Sequence, residues 1–358
     1  MHATYDSDAA TQEAWCINRA GAIHRLRRET RVLPPPGPGE VRLAVTSVGL
    51  NFADVFACLG LYSATPSGPF VPGLECAGTV TAVGPPTSMS PPVATGDRVM
   101  ALTRFGAYAT AINVDARYIR KIPVGWTFSD ASAFPVQALT AWYGLATLGH
   151  VSAGETVLIH SIAGGVGLHA LAFARRIGAT VIGTVGHPDK RDWLTRERGV
   201  AADAVIVRDR HHFGTQLASA LTAAGGSGLD VVCDAVLGPF FQPAYERLNP
   251  EGRYVVYGAA DFMPRGSRPN WLRLAGRYLR RPEVDPLQMI ASNRAVIGFN
   301  LIWLWNRVDR LADALERALS LTIAPPHIGA RFPFAEAPAA MRELQSGRTI
   351  GKVVLEVS

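Results

Sequence analysis

Cysteine is the first shortage. The chain of 358 residues has four, Cys16, Cys58, Cys76 and Cys233, with no CxxC pair and no histidine at ligand spacing. That pattern excludes a structural zinc site, and no HExxH motif offers a catalytic one. So few unevenly placed thiols suit a reducing compartment better than a disulfide framework. Long apolar runs are missing too. Nothing approaches the ~18 uninterrupted apolar residues that suggest a membrane span, and the amino-terminal stretch lacks the apolar core of a signal peptide. The chain is therefore expected to be cytoplasmic, with no transmembrane segment. Charge never piles up either: 35 Lys+Arg against 29 Asp+Glu leave a net +6 with the cations scattered. No block reads as a nucleic-acid arm, and nucleic acid is not an expected partner.

What is present begins with size. A chain of 358 residues exceeds the ~250–300 at which single cores stop growing, so two domains are expected. At 48% hydrophobic and 18% charged it should fold throughout. Short β-type runs at 41–48, 77–83, 97–101 and 108–113, punctuated by Gly and Pro, have the pattern of a small barrel-like domain. After Pro135 the rhythm changes. Strands at 156–160, 180–184, 204–207, 230–235, 253–257 and 295–300 are interleaved with helices at 166–177, 190–198 and 213–223. Apolar strands separated by helices imply a parallel sheet covered on both faces. The tail, a helix at 334–345 and a strand at 351–357, is expected to rejoin the first domain.

The strand ending in Leu158-Ile159-His160 runs into Ser161-Ile162-Ala163-Gly164-Gly165-Val166-Gly167 and then into a helical pattern. Glycines there let the backbone turn tightly and let a pyrophosphate approach the helix N-terminus. With the strand before and the helix after, Ala163, Gly164, Gly165 and Val166 are assigned to a dinucleotide. The tip of the next strand decides which one. It reads Gly183-Thr184-Val185-Gly186-His187-Pro188-Asp189-Lys190, with no acid at the tip to accept from an adenosine ribose. Gly186 leaves room for a ribose phosphate and Lys190 supplies charge, so NADPH is the expected cofactor. The alternative makes Lys190 a solvated residue at a helix start.

These features sit among further segments: Gly49-Leu50-Asn51-Phe52-Ala53-Asp54, Gly60-Leu61-Tyr62, Val71-Pro72-Gly73-Leu74-Glu75-Cys76-Ala77-Gly78, Gly96-Asp97-Arg98-Val99, Leu139-Thr140-Ala141 and Asn293-Arg294-Ala295-Val296-Ile297-Gly298-Phe299-Asn300. Together they make the sequence resemble, over nearly its whole length, the medium-chain dehydrogenase/reductase superfamily in its zinc-free quinone oxidoreductase branch. Within that branch it is most similar to the vesicle-amine-transport-protein-like reductases. The resemblance implies an α/β fold: a GroES-like β-barrel domain from residues 1–134 and 324–358, and a Rossmann doubly wound parallel sheet, residues 135–323, binding NADPH. It also implies a homodimer. Zinc-dependent relatives carry a cysteine at the position of Asn51 and a histidine at that of Leu74, so two metal ligands are replaced here and no metal is expected.

The resemblance implies roles as well. Asn51 and Tyr62 face the nicotinamide, with Asn51 donating a hydrogen bond to cofactor or substrate. Tyr62 either donates a proton or is a pocket wall with solvent as the acid. Thr140 touches the nicotinamide or bonds back to its own helical turn. Gly258, Phe299 and Asn300 lie at strand C-termini, where open parallel sheets bind ligands, although Phe299 also fits a core position. Lys352 reaches the cofactor or is a surface lysine. Arg208 stands where relatives commonly carry a tyrosine beside the ribose phosphate, and a guanidinium there can clamp the phosphate. The segment 261–289, with Phe262, Trp271, Tyr278, Arg265, Arg268, Arg273, Arg277 and Arg280, is a lid, a dimer contact or a substrate-tail site.

Hydride attack on an isolated ketone needs a strong electrophile at the oxygen, whereas a conjugated acceptor spreads the developing charge. The expected activity is therefore zinc-independent reduction of a quinone or α,β-unsaturated carbonyl by NADPH. One alternative is an enoyl-thioester reductase of a fatty-acid or polyketide pathway. Another is a cofactor-binding protein with a non-catalytic lipid, vesicle or RNA-binding role.

Overall fold

The structure, a computed structural model, describes residues 10–87, 92–322 and 324–357; the expected domain limits at 1, 323 and 358 fall outside these. An antiparallel hairpin, β1 (Ala10–Cys16) with β2 (Arg27–Leu33), opens the chain. It leans on the first domain through Trp15 N to Tyr108 O and Ile17 N to Phe70 O, both 2.9 Å. The domain itself is built on β3 (Glu40–Gly49), β4 (Glu75–Val83), β5 (Arg98–Leu102), β6 (Ala111–Asp115) and β7 (Ile119–Lys121), paired antiparallel. In β3, Val41, Leu43 and Val45 point inward while the intervening Arg42 and Ala44 are more exposed, the period-two alternation of a strand with one buried face.

The second sheet is wholly parallel. β8 (Thr156–Ile159), β9 (Thr180–Val185), β10 (Val205–Val207), β11 (Leu229–Asp234), β12 (Leu248–Val256) and β13 (Ala295–Gly298) lie in the order β10-β9-β8-β11-β12-β13. This is the order of dinucleotide-binding doubly wound sheets, and the chain reverses direction between β8 and β11, which opens a crevice at their C-terminal ends. The last strands, β14 (Ile328–Pro333) and β15 (Lys352–Glu356), extend the first sheet, with β15 antiparallel to β3. The expected α/β class with its β-barrel-like and Rossmann parts is what the structure has. One apolar cluster spans both parts, from Val41 and Met100 through Phe134 and Leu139 to Ile159 and Val353.

Several elements differ from the expectation. The strand expected at 108–113 lies at Ala111–Asp115. The helices Phe52–Cys58 and Val308–Ser320 and the hairpin were not anticipated, and β2 reads Arg27-Arg28-Glu29-Thr30-Arg31, mostly exposed and without apolar alternation. In the segment 261–289 the structure has a helix, Trp271–Leu279, and the start of a second, Pro286–Ser292, neither with a buried residue. Among the described residues, no helix is long and apolar enough to cross a membrane.

Candidate active site

The crevice is built first by the glycine turn. After β8 the chain turns through Ser161, whose φ of 55° is left-handed, and Ile162 N bonds Thr184 O at 3.0 Å on the neighbouring strand. The helix Gly165–Ile177 starts on Gly164, which offers no side-chain cap. Its first-turn amides are therefore available to an anion. Side chains would close this cradle: a Cβ at Gly165 would lie 2.8 Å from Gln137 Oε1, and one at Gly167 2.5 Å from Ser161 O. Ala163 O accepts from Gly351 N at 2.8 Å, stitching the turn to the strand that ends the first domain. Ala163, Gly164, Gly165 and Val166 thus line a site with the form a dinucleotide pyrophosphate needs.

Two cations stand near the adjoining strand tips. Arg208 Nη1 donates to Thr184 Oγ1 at 2.7 Å and to Ser161 Oγ at 3.3 Å, and the guanidinium lies over the Phe240 ring, 5.6 Å from its centroid. Its other edge faces Gly186, where an added Cβ would be 3.5 Å from Nη2. Burial lowers the Arg208 pKa to about 10, which leaves it charged at neutral pH. Lys190 is placed differently from the expectation. Its ammonium donates to Gly347 O at 2.6 Å and Thr349 O at 2.7 Å, so in this structure it holds the approach to β15 rather than standing free. Burial, with the charge of Arg208, pulls its pKa down to about 8.

At the opposite end of the crevice Tyr62 OH donates to Asn300 Oδ1 at 2.9 Å, linking two residues 238 apart in the chain. Burial pushes the Tyr62 phenol up to about 12, so it keeps its proton through the neutral range. Phe299, just past β13, packs between Tyr143 and Tyr257, with ring centroids 5.2 and 5.8 Å away. Gly258 follows β12 at close quarters, for a Cβ there would lie 2.9 Å from Ala235 O. Thr140 Oγ1 bonds back to Val136 O at 2.6 Å, within its own helix.

Beneath these lies a buried polar network that sequence reasoning did not assemble. Lys352 is 2% exposed and Glu75 0%, and their Nζ and Oε1 are 2.5 Å apart. Lys352 also donates to Asn51 Oδ1 at 2.9 Å, and Gln137 Nε2 donates to the same oxygen at 2.7 Å. The Asn51 amide nitrogen in turn donates to Glu75 Oε1 at 2.9 Å and Gly49 O at 3.3 Å. Both amide hydrogens expected to meet cofactor or substrate are therefore engaged inside the protein. Glu75 Oε2 accepts from Val136 N at 2.7 Å. Asp54 caps the turn by accepting from Asn51 N at 2.8 Å, while its Oδ1 is buried and has no hydrogen-bond partner among the described residues. Burial raises this carboxyl to about 7, against the opposing pull of Lys352. Gln137 lies in none of the segments that carry the resemblance, and Glu75 lies in one of them without an expected role.

Among the described residues, no three His, Cys, Asp or Glu side chains converge as a metal site would require. The cysteines are all buried and free, and burial pushes the thiols of Cys58, Cys76 and Cys233 up. His160 and His169 are packed among aromatic rings, and burial lowers them to about 4 and about 3, so both are neutral.

Comparison with known proteins agrees with this architecture. Residues 37–124 match the model described as "Alcohol dehydrogenase GroES-like domain", and residues 200–355 that described as "Zinc-binding dehydrogenase". The human synaptic vesicle membrane protein VAT-1 homolog is 35% identical over 335 residues, covering 92% of this chain and 82% of that protein. A mycobacterial protein solved in complex with NADPH superposes with a TM-score of 0.80 at 29% identity, covering 96% of this chain and 99% of the other. A mycobacterial quinone oxidoreductase gives 0.75 at 29% identity over 96% and 99%. CurK enoyl reductase gives 0.76 at 28% identity over 97% and 99%.

Proposed function

The chain belongs to the medium-chain dehydrogenase/reductase superfamily, alongside its VAT-1-like members, and from that membership we propose that it is an NADPH-dependent, zinc-independent reductase of quinones or α,β-unsaturated carbonyls. The observation that carries the reading is one crevice with an uncapped, glycine-lined helix start between Arg208 and the Tyr62–Asn300 pair. Ala163 to Val166 hold the pyrophosphate, and Arg208 with Gly186 receives the ribose phosphate. Thr140, Gly258, Phe299 and Asn300 border the ring, which when bound supplies the hydride. Its mycobacterial neighbour complexed with NADPH supports the cofactor choice.

In this reading Tyr62 orients the acceptor and delivers the proton that completes reduction, with solvent replenishing it. Phe299, Tyr143 and Tyr257 supply an apolar aromatic wall suited to a flat conjugated acceptor. The enoyl-thioester reading is favoured by a different observation. The segment 261–289 touches the first domain, with Ile23 N bonding Ser267 O at 3.0 Å and Arg268 Nη2 lying 3.3 Å from His24 Nε2. Among the described residues, Arg25 and Arg27 bond only carbonyls, and neither Arg265 nor Arg268 has an ion-pair partner. Such a cluster suits an anionic substrate tail. NADPH oxidation with 9,10-phenanthrenequinone, 1,4-benzoquinone and crotonyl-CoA tests both readings. Quinone turnover supports the first, and preference for the thioester supports the second. Tight NADPH binding with no turnover of any acceptor would place the chain among non-catalytic binding proteins.

A further inference from the structure

Burying an ion pair is a poor way to gain stability. Desolvation offsets most of the attraction, and apolar residues of similar size often do as well or better. Yet Glu75 and Lys352 are almost wholly enclosed, and Lys352 is anchored through its backbone as well. Its backbone N donates to His327 O at 2.9 Å, and the preceding Gly351 pairs with Gly164 of the cofactor turn. An ammonium has three N–H donors. Two are taken by Glu75 and Asn51, and among the described residues no acceptor meets the third. A fixed cation thus lies 2.9 Å from the side-chain oxygen of Asn51, the residue that the family resemblance sets in the place of a zinc-ligating cysteine.

We propose that Lys352 supplies the fixed positive charge of this reductase site, its ammonium held beside Asn51 by Glu75 and its field and uncommitted third N–H stabilising the negative charge that develops on the acceptor oxygen. The proposal rests on the reductase reading above. In an enone the acceptor takes hydride at its β-carbon, the carbon–carbon π bond breaks, and the electron pair ends on the carbonyl oxygen as an enolate. The α-carbon then takes a proton from Tyr62 or solvent. Lys352 transfers nothing in this sequence. It lowers the energy of the charged stage, as preorganised charges in a water-poor site do. Gln137 assists by holding Asn51 Oδ1 toward the ammonium.

The stabilisation should matter least for acceptors that carry the charge well and most for those that do not. The test uses Lys352→Met combined with Glu75→Gln, which removes the cation without leaving a lone buried carboxylate. Wild type and double variant are compared on 9,10-phenanthrenequinone, 1,4-benzoquinone and 2-cyclohexenone after thermal melts confirm folding. The double variant should lose about tenfold in kcat on the quinones and about a thousandfold on the enone, with KM little changed, consistent with the cost of losing an oxyanion donor. Lys352→Arg should restore part of the enone rate. As a spectroscopic readout, p-nitrophenol bound beside NADP+ should ionise more readily in wild type than in the double variant. An equal loss on every acceptor, or no loss, with an unchanged nitrophenol spectrum overturns this proposal alone. A wild-type protein that reduces none of the acceptors overturns the reductase reading and this proposal with it.

Discussion

Arg208 has one edge pinned, and among the described residues nothing bonds the other. Thr184 and Ser161 hold Nη1, Phe240 lies under the plane, and Nη2 faces Gly186. A guanidinium so preorganised loses little freedom on meeting a phosphate. Arg208→Met is expected to weaken NADPH binding about 10–100-fold, the range for losing a charge-assisted contact, while leaving NADH affinity nearly unchanged. Fluorescence titration with the two nucleotides checks this, and an equal loss for both would show that Arg208 does not read the phosphate. Asp54 gives a second prediction. Its carboxyl titrates near about 7 in the fold, against ~3.9 in an unfolded chain, so between those values the folded protein holds a proton that the unfolded chain has released. The stability that this group contributes is full below ~4 and is lost as pH rises through about 7. Asp54→Asn keeps an oxygen to accept from Asn51 N and cannot ionise. Its Tm relative to wild type should improve by several degrees between pH 4 and pH 8, and a constant difference across that range would refute the assignment.

At the scale of elements, the cofactor turn depends on helix and strand approaching closely. A Cβ at Gly167 would meet Ser161 O at 2.5 Å and Ile162 Cα at 2.6 Å, and both belong to backbone that cannot swing aside. Gly167→Ala should therefore cost about 1–3 kcal/mol, as overpacking does, and weaken NADPH binding by shifting the turn. Gly226→Ala, with open space around it, is the control. Chemical denaturation and nucleotide titration of both variants separate the outcomes; equal effects would remove the packing argument. This turn was legible in the sequence because every requirement for it is local: a buried strand, glycines, and a helix with apolar periodicity. The network below it was not. Lys352 and Asn51 are 301 residues apart, and neither spacing nor composition records that contact. Lys190 illustrates the same limit, since the carbonyls that hold it come from residues 347 and 349. The β1–β2 hairpin escaped notice for another reason: β2 lies largely in solvent, so no apolar alternation marks it.

For the whole molecule, the question is what covers the far side of the parallel sheet. Among the described residues β13 ends that sheet and pairs only with β12, and the nearby helices expose Trp271 (64%), Leu272 (89%), Leu279 (79%), Leu287 (74%) and Ile290 (77%). A free strand edge beside so much exposed apolar surface is a liability for a lone chain. We take this face to meet a second copy across a two-fold axis. Sedimentation should give a dimer, and Leu272→Asp with Leu287→Asp should shift it to monomer; a wild-type monomer at micromolar concentration would count against the pairing. The parallel character of the sheet, by contrast, followed from the alternation of strands and helices along the chain, because parallel strands need crossovers that the sequence must supply, whereas its doubly wound form was implied by the family resemblance. The proposed reaction joins the two parts of the molecule: NADPH, held by its pyrophosphate at the Gly164 turn, would supply hydride to a conjugated acceptor beside Tyr62. The most direct measurement uses NADPH deuterated at C4, prepared as each of its two epimers, with an α,β-unsaturated ketone and mass spectrometry of the product. The account predicts deuterium at the β-carbon of the saturated ketone from one epimer only. Consumption of the enone with no label from either epimer, or no consumption of enone or quinone at all, would contradict it.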